Sequence, residues 1–568
     1  MRSRAVVVGA VCAAAVVTGG WLVQRGLNGP VSVHAGSRLF DQVRQRIAEN
    51  YVDEVDEEEM YKRAMTGLLL ELDDPNSVYL SEERLSRLNE RTSGTYGGLG
   101  VRFDVRDGWL TVIAAQPNSP AERGGLATGD RILAIDDSST HQLTPDEAAG
   151  ALRGTPGTKV RLLVVRGADG QHVNVTLERR EIHVNAISRM AMLDGGVGYV
   201  DINTFRDSTT VELIRAVDSL RAAGAHGLVL DLRRNPGGLL QQGVEVADLF
   251  LDEGQKVLDV KGRTASSSAT FTDQLPQRWS GMPMVVLVDD GTASAAEIVA
   301  GALQDHDRAV LIGRTTFGKG SAQSLFPLAG GGALKLTTAR WYTPAGRAIG
   351  RPFGAELPPE DEQPLESAAP TRSREEFKTD GGRIVYGGGG ITPDLVLGDT
   401  LLPPAEIVFG RALGNLVTTF RDIISDYALE LRAARLVRSR AFEVTPTMRD
   451  VVFARLREHG VDVPREVYDG AAPLVDRLLT QEIARLVFDD ETSVQRSVQW
   501  DRALQTAVGL LRDADSQESL IERAAGGAQV VAEARRAAAA PVSTSERGSA
   551  RSSSGSSSTS EAHTLLPN

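Results

Sequence analysis

Between Met284 and Leu303 the chain passes from five consecutive apolar residues, Met284 to Val288, through Asp289-Asp290-Gly291 to Ser294, then into Ala295, Ile298, Val299, Ala302 and Leu303 at helical spacing. This pattern reads as a strand, a tight turn and a helix, with a serine at the corner. A hydroxyl there stands beside the free N–H groups of the helix N-terminus and the positive end of its dipole, where an oxyanion can be stabilised. A second apolar run, Ala309 to Ile312, leads to Lys319, 25 residues beyond the serine and flanked by Gly318 and Gly320, which allow close backbone approach. Gln323, four residues on, carries an amide able to hold an amine. Serine is a weak nucleophile until a base takes its proton, and a lysine serves as that base only where desolvation keeps it neutral. Read in isolation, Ser294 is equally a helix N-cap and Lys319 a solvated surface charge.

Two further stretches separate these readings: DLRRNPGG at Asp231 to Gly238, and RWYTPAGRAI at Arg340 to Ile349. In order and spacing the four motifs resemble the carboxyl-terminal processing proteases, or tail-specific proteases, of the S41 serine peptidase family. The resemblance implies a multidomain α/β protein with a crotonase-like or ClpP-like layered peptidase core. It implies Ser294 as nucleophile, Lys319 as general base supported by Gln323, and an oxyanion hole from Ala295 and the Gly237-Gly238 pair. It calls for no metal and no cofactor.

Other candidates near the motifs are weaker. Asp305 matches a position proposed to assist in some members, but a carboxylate beside the lysine would oppose a neutral base, so a structural role is expected. His306, among Asp305, Asp307 and Arg308, reads as a polar helix end, and His141, His172, His183 and His226 show no metal-ligand spacing. Gly313 to Gly320 nearly matches a phosphate-binding GxxxxGK loop, yet Gly320 stands where Ser or Thr must hold magnesium, and Pro327 interrupts the helix that should follow.

A chain of 568 residues needs about three to four domains. Its net charge of −13, from 62 Lys+Arg against 75 Asp+Glu, argues against a general nucleic-acid surface. At the N-terminus Arg2 and Arg4 precede 19 uncharged residues, Ala5 to Val23. Residues 1–25 therefore read as a signal peptide or a membrane anchor; Val33-His34-Ala35 is a late cleavage site. The flanking arginines keep that end cytoplasmic, so the remainder is expected in the cell envelope, periplasmic or otherwise extracytoplasmic, and anchored to the inner membrane if the segment is retained. Cys12, the only cysteine, follows a poor lipoprotein box and excludes an intrachain disulfide.

Residues 37–91 read as an N-terminal helical region, with Leu39, Phe40, Val43, Ile47 and Tyr51 on one face and Tyr61, Ala64, Leu68 and Leu72 on another. In the resembled family this arm often takes part in dimerisation, so a homo-oligomer is expected. Residues 92–182 turn β-rich, and YGGLGV followed by SPAERGGLATGDRILAIDD resembles an inserted PDZ domain. Its glycine-rich loop, Gly97, Gly98, Leu99 and Gly100, is expected to take a peptide carboxylate on backbone N–H groups. The peptidase core is expected over 183–400 with a loop insertion at 351–390, a helical C-terminal domain over 401–525, and a disordered Ala- and Ser-rich tail over 537–568. The function these features imply is an exported or membrane-tethered serine endopeptidase, cleaving protein substrates near their C-termini and recognising apolar tails through the PDZ domain. The alternative is a catalytically inactive PDZ scaffold in an envelope assembly.

Overall fold

The computed structural model describes residues 33–106, 108–166, 170–351, 374–397 and 403–526. The export segment expected at 1–25 and the tail at 537–568 lie outside them, as do residues 352–373 of the insertion. Among the described residues no helix is long and apolar enough to cross a membrane.

The continuous apolar runs form a six-stranded central sheet in the order Ile187–Leu193, Val197–Ile202, Gly227–Asp231, Met284–Val288, Val310–Gly313 and Leu395–Val396. The first pair is antiparallel and the rest parallel. Parallel strands are covered on both faces, which is why they lack polar alternation. Met284, Val286 and Val288 face a core built with the helices Thr209–Ala222, Leu240–Asp248 and Ala295–Asp305. Val285 and Leu287 face the opposite way, against Leu504, Ala507, Val508 and Leu511 of the C-terminal helix Arg502–Arg512.

That second face divides the helical region expected over 401–525 into two packing units. Residues from Phe409 to Phe488 bury a core of their own, including Phe420, Ile423, Ile424 and Ile483. Residues from Val494 to Ala524 close the peptidase sheet instead.

A second sheet, ordered Val78–Leu80, Ala333–Tyr342, Lys256–Gly262 and Ala269–Thr272, also holds Ser321–Pro327 as a partner of Ala333–Tyr342. The N-terminal segment thus enters the core through Val78–Leu80. Upstream, the helices Val33–Asn50 and Glu57–Leu70 are joined by the Arg44–Glu57 ion pair, but their expected apolar faces are on the surface of the single chain: Leu39 is 61% exposed and Leu68 71%. The PDZ-like module closes on itself where Thr95–Gly98 pairs with Arg180–His183. Its outer face meets the C-terminal helical unit: Ile113 joins that unit's core and Arg106 is paired with Asp426.

The helix Ala295–Asp305 is fixed at its far end by charge. Asp305 and Arg347 form a fully buried ion pair; Asp305 also accepts the Ala345 N–H at 2.9 Å, and Arg347 donates to Gln304 at 3.0 Å. Beyond it, Asp307 binds Arg383 and His306 binds Asp380 at 2.7 Å, clamping the hairpin Glu376–Tyr386 that ends the insertion. Removing one partner of such a pair strands a buried charge. Asp305→Ala is expected to destabilise the core by about 3–5 kcal/mol, read as a lowered urea midpoint at unchanged m-value.

Candidate active site

Ser294 lies between strand and helix at φ 56°, ψ −118°, a conformation that costs a non-glycine residue energy and persists only where its surroundings enforce it. They do so through the preceding turn. Asp289 Oδ1 accepts the N–H groups of Arg234 (2.7 Å) and Gly291 (3.0 Å), Thr292 Oγ1 donates to Leu232 O at 2.8 Å, and Ala293 N–H donates to Asn235 O at 2.9 Å. The DLRRNPGG loop and the serine turn are therefore one unit.

Within that unit the glycines are required by space. A Cβ on Gly237, at φ 90°, would lie 2.7 Å from Ser294 Cβ and 2.9 Å from Ala295 N; one on Gly238, at φ 149°, would lie 2.0 Å from Phe205 O. Gly237 N–H is spent on Asn235 Oδ1 at 2.8 Å. Among the described residues the N–H groups of Gly238 and Ala295 donate to nothing. Gly237 thus brings the loop against Ser294, and the N–H groups of Gly238 and Ala295 are left without an acceptor beside it among the described residues.

Glu297, which the sequence reading left without a role, joins the serine to the lysine. Its carboxylate is fully buried. Oε2 accepts the N–H of Ser294 (2.8 Å) and of Lys319 (2.9 Å), and Oε1 accepts the N–H of Gly318 (2.7 Å) and the Thr316 hydroxyl (2.5 Å). Burial pushes this carboxyl up, against the pull of those four donors. The S-x-x-E spacing of Ser294 and Glu297 was the available signal, since it is the capping-box pattern.

Lys319 is half-buried and its pKa is lowered, first by burial and then by Lys335, while Glu297 and Asp74 act in the opposite direction. Its carbonyl accepts from Trp341 Nε1 at 3.2 Å, and its neighbour Gly318 accepts the Arg351 N–H at 3.1 Å. Gln323 lies on the strand that follows; its amide donates to Ser321 Oγ at 3.0 Å and Thr337 Oγ1 at 3.3 Å. Among the described residues, Ser294 Oγ and Lys319 Nζ share no hydrogen bond, and neither do Lys319 Nζ and Gln323. His306 sits at the opposite end of the Ser294 helix, its Nε2 2.7 Å from Lys256 O, so it is remote from the serine.

In the PDZ-like module, Gly97 and Gly98 are strand residues, and a Cβ on Gly97 would lie 2.1 Å from Gly154 O. Leu99 is buried in the module's core and Gly100 adopts φ 69°. Their carbonyls accept from Ala121 (2.9 Å) and Gln116 (2.8 Å), whereas their N–H groups donate to nothing among the described residues.

The profile of Peptidase family S41 matches residues 196–355, that of the PDZ domain residues 111–166, and that of the activating protease CtpB N-terminal domain residues 33–84. The chain is 35% identical over 324 residues to the carboxy-terminal processing protease CtpA of Bacillus subtilis, spanning 56% of this chain and 69% of that protein. It is 36% identical over 314 residues to the carboxy-terminal-processing protease of Bartonella bacilliformis, spanning 55% and 71%. A solved structure, the photosystem II D1 C-terminal processing protease, is 27% identical with a TM-score of 0.34, covering 62% of this chain and 85% of that one. The chain belongs to the carboxy-terminal processing proteases of the serine-type peptidase family S41, with a PDZ domain ahead of the peptidase core.

Two substitutions test the geometry. Gly238→Ala keeps the N–H, but its Cβ would lie 2.0 Å from Phe205 O and must push the loop aside; the displaced donor is expected to lower kcat by about 10²-fold or more, with the secondary structure retained in the far-UV spectrum. Glu297→Ala frees four buried donors at once and is expected to lower kcat by at least about 10²-fold, measured against a peptide substrate; Glu297→Gln, which keeps one acceptor oxygen, should lose less.

Proposed function

We propose that this protein is a serine endopeptidase in which Lys319 serves as the general base for Ser294, cleaving proteins near their C-termini. The observation that carries the reading is the shared Glu297 carboxylate: one buried group fixes both the backbone of the strained serine and the backbone of a desolvated lysine. In the reaction, neutral Lys319 takes the Ser294 proton as Oγ attacks the scissile carbonyl, and the oxyanion forms against the N–H groups of Ala295 and Gly238. Lys319 then gives its proton to the leaving amine, and in the second half activates the water that releases the acyl group. Gln323 reaches the amine from the adjacent strand when the pair is aligned.

The PDZ domain supplies the other half of specificity. An extended tail adds to the open edge of Val101–Arg106, and its carboxylate meets the free N–H groups of Leu99 and Gly100. The substrates are proteins or peptides with apolar C-termini. The charged and apolar pattern of residues 1–25 supports export to the cell envelope, with tethering to the inner membrane where the segment stays uncleaved. The exposed apolar face of the N-terminal helix supports self-association.

Ser294→Ala and, separately, Lys319→Ala should each abolish cleavage of an unfolded protein bearing an apolar tail, with tail binding retained. Binding without cleavage by the unmodified protein would identify a scaffold instead. Because only the neutral amine accepts the serine proton, kcat/KM should rise with pH to a plateau whose midpoint lies below the ordinary lysine range; a profile flat from pH 6 to 10 would remove Lys319 as base.

A further inference from the structure

The DLRRNPGG loop carries two arginines that the reaction leaves unused, and the first of them reaches a distant part of the chain. Arg233 folds back on the end of the strand Gly227–Asp231. Its backbone N–H donates to Asp231 Oδ1 at 3.0 Å, and its guanidinium donates to Oδ1 at 2.9 Å and to Oδ2 at 2.6 Å. Asp231 is buried and also accepts the Tyr199 hydroxyl at 2.8 Å. The remaining guanidinium nitrogen, Nη1, lies 2.8 Å from Asp501 Oδ2. Asp501 stands far beyond residue 355, where the match to the peptidase family ends.

Asp501 uses its two oxygens differently. Oδ1 accepts the Leu504 N–H at 3.0 Å and so caps the helix Arg502–Arg512, which closes the second face of the central sheet. Oδ2 meets Arg233, and with the two side chains only 23% and 21% exposed, water screens that pair incompletely.

What Arg233 begins is a strained loop packed on the serine turn. Arg234, the next residue, has φ 57°, which a non-glycine residue keeps only under constraint. Its N–H donates to Asp289 Oδ1 at 2.7 Å, and its Cα lies so close to the turn that a Cβ on Gly291 would be 2.8 Å away. Asn235 then accepts the Ala293 N–H on its carbonyl at 2.9 Å and the Gly237 N–H on Oδ1 at 2.8 Å. Contacts therefore run without a gap from Asp501 through Arg233 to the Ser294 turn and to the residue before Gly238.

We propose that Asp501 is a positioning residue for the oxyanion loop: from the C-terminal helix it fixes Arg233, and through Arg233 the segment Arg234 to Gly238 beside Ser294. The proposal rests on the reading of Gly238 and Ala295 as oxyanion donors. Such donors act on charge that exists only in the transition state, so a loop that loses its outer anchor lowers kcat and leaves KM in place. The C-terminal helix then contributes to the reaction as well as to the packing of the sheet.

The test separates the two oxygens in the full-length protein, with kcat and KM measured on a peptide with an apolar C-terminus. Asp501→Ser keeps an N-cap acceptor but is too short to reach Arg233; kcat should fall about tenfold, with KM and the urea midpoint close to those of the unmodified protein. Asp501→Glu reaches Arg233 but caps the helix less well; kcat should recover while the urea midpoint drops. An unchanged kcat in Asp501→Ser, a loss confined to KM, or a kcat that does not recover in Asp501→Glu overturns the proposal, and activity that follows the urea midpoint in both variants marks a structural role only and overturns it as well. Ser294→Ala separates this inference from the reading beneath it: if that variant still cleaves, the serine peptidase reading itself fails, whereas an inactive Ser294→Ala beside a fully active Asp501→Ser removes the positioning role alone.

Discussion

The Glu297 carboxylate is the interaction on which the site depends. A buried carboxylate is tolerable only when its lone pairs are filled, and here every partner is a donor from one of the two segments that must meet: Ser294 on one side, Thr316, Gly318 and Lys319 on the other. The charge thereby converts two separate loops into one rigid body. It also explains how Ser294 holds a backbone conformation that a free chain would leave, since its N–H is fixed at the corner where the helix begins.

The remainder of the fold supports that corner from three directions. The central sheet supplies the strand that ends at the serine turn, and its second face is closed by the helix Arg502–Arg512, so the C-terminal region is part of the peptidase core. The Asp305–Arg347 pair fixes the far end of the serine helix and ties it to the RWYTPAGRAI segment. The second sheet carries the strand that follows Lys319 as an edge ribbon. Ser294 thus stands at the head of a helix buried along its whole length, whereas Lys319 leads into a strand that is half-buried to exposed.

Much of this was legible in the sequence because it rests on short-range rules. Strands buried on both faces appear as unbroken apolar runs, and the serine corner followed from one such run meeting a helical period. Less legible was whatever depends on distant partners. The stripe of Leu39, Phe40, Val43 and Ile47 was legible as one apolar helix face, but its exposure in the single chain was not, because periodicity records amphipathicity and not what covers it. The helices from 401 to 525 looked like one domain; only tertiary packing separates Phe420 and its neighbours from Leu504 and Leu511. The family resemblance alone led both Gly237 and Gly238 to be expected as donors; that Gly237 instead spends its N–H on Asn235 required coordinates.

The near match of Gly313 to Gly320 to a phosphate loop has a physical origin. Such loops work because successive N–H groups, opened by glycine, converge on an anion. Here Gly318 and Lys319 do present successive N–H groups to an anion, but that anion is Glu297, supplied by the chain itself. A phosphate would have to displace a carboxylate that also anchors Thr316 and Ser294, and would leave the displaced charge buried without partners. The same donor geometry therefore serves opposite ends: in a nucleotide-binding loop the cradle waits for ligand, whereas in this protein it is already filled. Filling it holds the backbone of Lys319 independently of its side chain, and the amine is left as the one part of that residue free to change its charge and its partner.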